Sequence, residues 1–546
     1  MTARRWARAA PVFAPALLIL VGVALRAANL TVYRFHVDEA LYATHAREVA
    51  AGGDPLLLAF AVDKPPLGVY VTAAAFALLG VSEFAARVPN VLASALSLAA
   101  LWALARSLYH DAHEDAKIAD RRPGAQIVVA GFALLLVALS PYDVLFAPTV
   151  FAEPQVTLWI LLAGWAATRD RWGWAGVLLA LALATKQSAL FYFPLVAALG
   201  LICNAGAGWR GLARRAVRLA LPLLIGLGLL AAWDAPRGPA GSFWALGYAH
   251  NAPDRWVRAA EVAPRLEAWV AWLRTFTGAD ALSLALLALA VAGVAWSVRT
   301  RPGRRETVID LALAGFTLAV LGVLWLSAFN TYDRYVHTLL PLLALLAARG
   351  VALVVDLPQR MNHRGPERAE TETQKLPKLG GSALSTSEPL RESGGRGADK
   401  SSRHLWRGDI GVRSFIIALA IVGGMSAPLS AALAGEIPVG GDKGGHDGID
   451  ATAAFLNRLP EGTRVCDHWL GWELGFYLGG ETPVRLTWLP RPDALAASAP
   501  CYLPAPADAP IARWRTAAAR AGFSAGVVFE ARDRWGARSF VVYAVR

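Results

Sequence analysis

The sequence is short of charge. Asp, Glu, Lys and Arg supply 17% of its 546 residues, against about 25% in an ordinary soluble domain. Together with long apolar blocks, that deficit excludes a soluble globular protein of this length. Cysteine is scarce, at three residues. Cys203 ends an apolar helix and reads as packing, whereas Cys466 and Cys501 fall in a C-terminal region placed outside the membrane, where a disulfide is permitted but not required. Asp467-His468 has no second ligand set at zinc spacing, so no metal is assigned there. There is neither a P-loop nor a Rossmann glycine fingerprint for a nucleotide. No clear internal repeat is seen, which speaks against a transporter built from matching halves.

What the chain does have is apolar length. PVFAPALLILVGVALRAANL (11–30), AQIVVAGFALLLVAL (125–139) and SFIIALAIVGGMSAPLSAAL (414–433) are three of its blocks, and about 20 apolar residues match the hydrocarbon core of a bilayer. The first block is too long for a signal-peptide core and lacks a clean small-x-small site before the next polar loop. The net charge of +12 reports topology and not nucleic acid, because Lys and Arg cluster in short loops beside the apolar runs. Placing Arg4/Arg5/Arg8, Arg106/Lys117/Arg121/Arg122, Arg169/Arg171, Arg210/Arg214/Arg215/Arg218 and Arg299/Arg301/Arg304/Arg305 on the cytoplasmic side gives a parity constraint. Segment 67–81 then does not span, and is re-entrant or interfacial.

The resulting architecture is an α-helical polytopic membrane protein of about 11–13 helices, with the N-terminus cytoplasmic. Its core is 1–355, with a first outer loop at 30–66. A disordered cytoplasmic linker is expected at 356–412, a last transmembrane helix at 413–436, and a small extracytoplasmic α/β domain at 437–546. In that domain DATAAFLNRL and IARWRTAAARAG read as helices, and TRVCDHWL, PVRLTWL, AGVVFEA and RSFVVYAVR as strands. Segments 174–186 and 188–203 are short, as for half-helices meeting at Lys186.

The densest chemical signal lies at 35–66: Phe35-His36-Val37-Asp38-Glu39-Ala40-Leu41-Tyr42, then Val62-Asp63-Lys64-Pro65-Pro66. Alone, the acids would serve equally as interfacial solvation or as the first turn of a helix, where negative charge is favoured. Lys-Pro-Pro alone is a helix-start signal. Their order is more specific. An apolar helix, D-E-x-x-Y, about 20 residues, K-P-P and a short apolar helix resemble the opening of the C-type membrane glycosyltransferases. The protein O-mannosyltransferases and lipid A aminoarabinose transferases are the members it looks like. Glu83-Phe84-Ala85-Ala86-Arg87-Val88-Pro89, Ser140-Pro141 with Thr149 and Glu153, Ala184-Thr185-Lys186-Gln187 and Tyr332-Asp333-Arg334-Tyr335 before Leu339-Leu340-Pro341-Leu342 extend the resemblance over about residues 11–355.

That resemblance implies a plasma (inner) membrane enzyme. It would move a sugar, with inversion, from a polyprenyl-phosphate donor to a protein, lipid or glycan acceptor at the outer face. Neutralising the departing phosphate needs fixed cations, assigned to Lys64, Lys186 and Arg334, with Arg87 a further candidate. A carboxylate must take the acceptor's proton, assigned to Asp38, with Glu39 orienting and Glu153 as second acid. Tyr42, Tyr335 and His250 are sugar or acceptor contacts. No cofactor is required by the motifs, although Asp38, Glu39 and Glu153 together offer a divalent ion oxygen ligands. The alternatives are a multi-helix transporter and a non-enzymatic envelope-assembly component.

Overall fold

A computed structural model describes residues 3–110, 125–251, 255–362, 398–437, 440 and 444–546. The N-terminal half is α1 (Ala3–Ala27), α2 (Val37–Ala50), α3 (Leu67–Leu79), α4 (Glu83–Leu108), α5 (Ala125–Ala138), α6 (Pro141–Phe146), α7 (Glu153–Thr168), α8 (Trp172–Thr185), α9 (Phe193–Cys203) and α10 (Trp209–Asp234). Longer helices follow at Asp280–Thr300, Arg305–Leu326, Leu340–Asn362 and Ala398–Ala434.

Six helices among the described residues are long and apolar enough to cross a membrane, and the chain is a multi-pass membrane protein. Their apolar faces divide between lipid and core. Leu221, Leu224 and Leu229 of α10 stand exposed, whereas Leu101 and Leu104 of α4, Leu134 and Leu136 of α5 and Leu161 of α7 are buried together. With no water to drive helices together in lipid, close backbone approach takes over. Gly176 of α8 sits against the Leu219 carbonyl of α10, and Gly350 against that of Leu289, leaving no room for a Cβ at either position.

Helix α3 has 13 residues. At about 1.5 Å per residue it is roughly 20 Å long, short of the ~30 Å hydrocarbon core. Segment 234–277 contains helices Phe243–Asn251 and Ala259–Arg274. The second packs Trp269 into the helical core and is fixed by polar contacts as well: Arg265 donates to the carbonyls of Leu324 and Ser327, and Trp272 to that of Thr331. The expected linker lies largely at 363–397, outside the described residues. Helices Leu340–Asn362 and Ala398–Ala434 run into its two ends.

The C-terminal region forms a five-stranded sheet from β1 (Arg464–Asp467), β2 (Arg485–Trp488), β3 (Cys501–Pro506), β4 (Ala525–Arg532) and β5 (Arg538–Val545), in the order β2-β1-β3-β5-β4. β1 is parallel to β2 and β3, and β5 is antiparallel to β3 and β4. Strand β3 has no counterpart in the sequence reading, because Pro504 and Pro506 argue against an interior strand. It is tolerated because β1 pairs with it only at Tyr502, upstream of both prolines. Cys466 of β1 and Cys501 of β3 are joined in a disulfide.

Candidate active site

Asp38 and Glu39 occupy the first turn of α2, so their pairing has a helix-capping origin. His36 is the N-cap: its Nδ1 accepts from the Asp38 N–H at 3.1 Å, while Glu39 accepts from the His36 N–H at 3.1 Å. The cap sends the two acids different ways. Glu39, 1% exposed, takes two bonds of 3.2 Å from Arg87 and another from the Val150 N–H at 3.1 Å. Arg87 also donates to the carbonyls of Tyr33 and Leu30. This buried pair ties α2 to α4 and to the loop before α7. Glu39 is thus placed as the orienting group expected of it, and the Arg87 guanidinium is paired within the fold.

Asp38 points the other way. Its Oδ2 accepts from Arg334 Nη1 at 2.6 Å and the pair is partly exposed. Arg334 stacks between Phe151 and Tyr332, 5.2 and 4.6 Å from the ring centres, which fixes the plane of its guanidinium. Beyond Asp38, its side-chain N–H groups have no acceptor among the described residues.

Lys186 is where α8 breaks. Its backbone is extended, between the end of α8 and a 3-10 turn at Gln187–Tyr192. Its side chain, with the residue 8% exposed, pairs with Glu153 at the start of α7 and stands 5.4 Å from the Tyr335 ring. Glu153, the second acid of the sequence reading, is the buried counter-ion of Lys186. Lys186 also lies within electrostatic reach of both Arg334 and Lys64.

Lys64 comes from the D-K-P-P loop. It pairs with Asp63 at 2.7 Å and sits 5.9 Å from the Tyr42 ring. Burial would lower the pKa of its ammonium, but the bonded Asp63 carboxylate opposes this, and the group stands above the usual lysine range. Burial pushes the Tyr42 hydroxyl up to about 12, so it remains a phenol. The loop is held by Gln187, which donates to the Asp63 carbonyl at 2.7 Å. Gly247 lets helix Phe243–Asn251 come close, since a Cβ there would lie 2.8 Å from that carbonyl. His250 thereby reaches Asp63, at 3.5 Å, and Asn251 accepts from the Tyr335 hydroxyl at 3.2 Å.

Asp38, Lys64, Lys186, Arg334, Tyr42, Tyr335 and His250 thus gather at one end of the helical bundle, in three cation–carboxylate pairs. Among the described residues no three His, Cys, Asp or Glu side chains are grouped so as to hold a metal ion. Asp38, Glu39 and Glu153 are each turned to a cation instead, and the divalent-ion arrangement suggested by their sequence is not formed.

Sequence reasoning missed the support beneath the site. Arg26 donates to Ser94 at 2.7 Å and to Asp143, whose other oxygen lies 2.9 Å from His337 Nε2. The available signal was an arginine inside the first apolar run, which seldom stands there without a partner. It also missed how the C-terminal domain latches on. Tyr477 accepts from the Phe35 N–H at 2.8 Å and bonds Glu83, Arg47 donates to the Phe476 carbonyl at 3.2 Å, and Arg534 joins Asp447 to the Val32 carbonyl.

Beneath that latch Glu473, 1% exposed, faces α2, with His446 at 3.4 Å. Burial, with Asp467 and Asp38 adding like charge, pushes its carboxyl up to about 7. The folded protein therefore holds a proton that the unfolded chain releases near pH 4.5, its reference pKa. Stability from this group is full below that pH and falls as pH rises towards 7, by about 3 kcal/mol. Glu473→Gln should raise the thermal midpoint of detergent-solubilised protein at pH 8 and leave it unchanged at pH 4.5. An equal shift at both values would contradict this.

The helical bundle, its charge-paired pocket and the capping sheet domain define the C-type glycosyltransferase fold. Residues 63–233 match the family model described as dolichyl-phosphate-mannose-protein mannosyltransferase. The crystal structure of ArnT from Cupriavidus metallidurans bound to undecaprenyl phosphate shares the fold, with a TM-score of 0.58 and 16% identity over 99% of this chain and 98% of that one. Its apo state aligns with a TM-score of 0.59 and 17% identity, over 96% and 97% of the two chains. No curated protein matches the sequence. The resemblance first carried by scattered short motifs is thus carried by a family-model match and by the fold.

Proposed function

We propose that this protein transfers a sugar from a polyprenyl phosphate to an acceptor hydroxyl or amine, at the outer face of the membrane and with inversion at the anomeric carbon. The observation that carries this is the Asp38–Arg334 pair at 2.6 Å, which sets a carboxylate beside a guanidinium with N–H groups to spare, next to Lys186. In the reaction Asp38 takes the acceptor's proton as its oxygen or nitrogen bonds to the anomeric carbon. The bond from that carbon to the phosphate oxygen breaks, and the electron pair leaves on the polyprenyl phosphate. Lys64, Lys186 and Arg334 stabilise that developing charge. At rest the three cations are balanced by Asp63, Glu153 and Asp38, which lowers the cost of holding them in a dry site.

The likeness to a protein bound to undecaprenyl phosphate supports the donor class, and the N-terminus inside with the sheet domain outside follows from the charge bias of the loops. The test is purified protein in liposomes with a radiolabelled sugar on undecaprenyl phosphate and extracted envelope acceptors. Label should move to the acceptor fraction and free undecaprenyl phosphate should accumulate. Flux of the lipid-linked sugar without cleavage would refute the reading.

Lys64→Ala should weaken binding of undecaprenyl phosphate about tenfold to a hundredfold, the worth of one charge-assisted bond. The fold should persist, because Lys64 sits at the rim of the pocket. Microscale thermophoresis in detergent reads the affinity, and unchanged binding would remove Lys64 from the phosphate site.

A further inference from the structure

Behind the Asp63–Lys64 pair lies a cavity of about 30 Å³, lined by Tyr42 and His45 of α2, Val69 of α3, Val150 and Thr185 together with that pair. Leu41, Tyr42 and His45 line it because residues three and four apart share a helix face. His45 is 2% exposed, and its Nε2 has no hydrogen-bond partner among the described residues. A buried ring nitrogen without a partner costs about 1–3 kcal/mol, so a native site that keeps one points to a missing polar group.

The ring is held against drift. It lies 4.4 Å from Phe60 and 6.0 Å from Trp472 of the C-terminal domain, near edge-on to the latter. Burial pushes its pKa down to about 4, so at neutral pH the imidazole is uncharged and offers one N–H and one lone pair. It is unsuited to a phosphate, which the neighbouring cations would serve, and suited to a hydroxyl. The cavity is large enough for a water or two, or for one hydroxyl-bearing arm of a sugar, and too small for a whole ring.

We propose that His45 is a specificity-determining residue, receiving a hydroxyl-bearing substituent of the donor sugar in the cavity behind Lys64. This rests on the proposed function and deepens it. Phosphate and sugar are read by separate groups: the cations hold the lipid phosphate, and His45 holds the sugar substituent.

The test compares binding of bare undecaprenyl phosphate with binding of the same lipid carrying mannose, glucose or aminoarabinose. Wild-type protein should bind at least one sugar-bearing lipid more tightly than the bare lipid. His45→Phe should lose that preference, about tenfold in affinity, with affinity for the bare lipid unchanged. His45→Gln, which keeps a donor and an acceptor, should recover part of it. A preference that survives in His45→Phe overturns the proposal, as does a wild-type protein with no preference for any of the three. If His45→Phe weakens both ligands equally, the residue is structural and the proposal is also overturned. Failure of the wild-type protein to bind even bare undecaprenyl phosphate is a different result, and refutes the proposed function itself.

Discussion

Asp38→Asn is expected to lower the rate of sugar transfer about a thousandfold, the middle of the range for losing a general base, while affinity for undecaprenyl phosphate stays near that of the wild type. The amide is the same size as the carboxylate and can still accept a bond from Arg334, so the pocket keeps its shape. What it loses is the capacity to take a proton from the acceptor. The split between kcat and binding is the diagnostic part. A variant that transfers at the wild-type rate would exclude Asp38 as the base. One that no longer binds the lipid would show that Asp38 acts by holding Arg334 in place.

The second large effect concerns the fold. Arg87→Met takes the Arg87 guanidinium away from buried, charged Glu39, and removing one partner of a buried pair costs about 3–5 kcal/mol. It also unhooks the carbonyls of Tyr33 and Leu30, which hold the approach to α2. The expected outcome is a protein recovered from membranes in low yield and aggregated in detergent by size-exclusion chromatography. Glu39→Gln with Arg87→Met, which removes both charges, should recover part of the folded protein, whereas a simple phosphate-binding role for Arg87 predicts good folding of the single variant with weak donor binding. The two outcomes are easily told apart.

These variants also mark how far the sequence could be read. The short motifs identify the residues that meet in the pocket, because charge is rare in this chain and each cation stands beside an apolar run. Lys186 is the clearest case: a lysine between two short apolar segments anticipates a broken helix, and the backbone is extended there. Sequence cannot say which acid meets which cation. Glu39 and Asp38 are neighbours with the same chemistry, and only the capping geometry of His36 turns one towards Arg87 and the other towards Arg334. His45 was invisible for a related reason. A lone histidine on a helix carries no signal until burial and a cavity give it one. The C-terminal domain was legible as alternating elements, except for β3, whose prolines contradict an interior strand until its brief pairing with β1 is known.

The domain's attachment to the site likewise depends on contacts hundreds of residues apart, such as Phe35 with Tyr477. Such contacts follow from the packed fold, and no local pattern announces them. Their consequence is functional. The first turn of α2, which carries Asp38, is held by the Arg87–Glu39 pair on one side and by Tyr477 and Arg47 on the other, so the proposed base would be presented on a fixed turn.

The proposed function requires Lys64, His250 and the Arg334 loop to share one lipid-phosphate pocket on the outer face. The most direct measurement is labelling of Lys64→Cys, His250→Cys and Asn330→Cys, each in a Cys203→Ala background, with a membrane-impermeant maleimide in spheroplasts. All three should label from outside, and undecaprenyl phosphate, at a concentration raised to offset the lost Lys64 contact, should slow the reaction at position 64. Labelling of any of them only in inverted vesicles, or no protection at position 64, would contradict a single outer pocket.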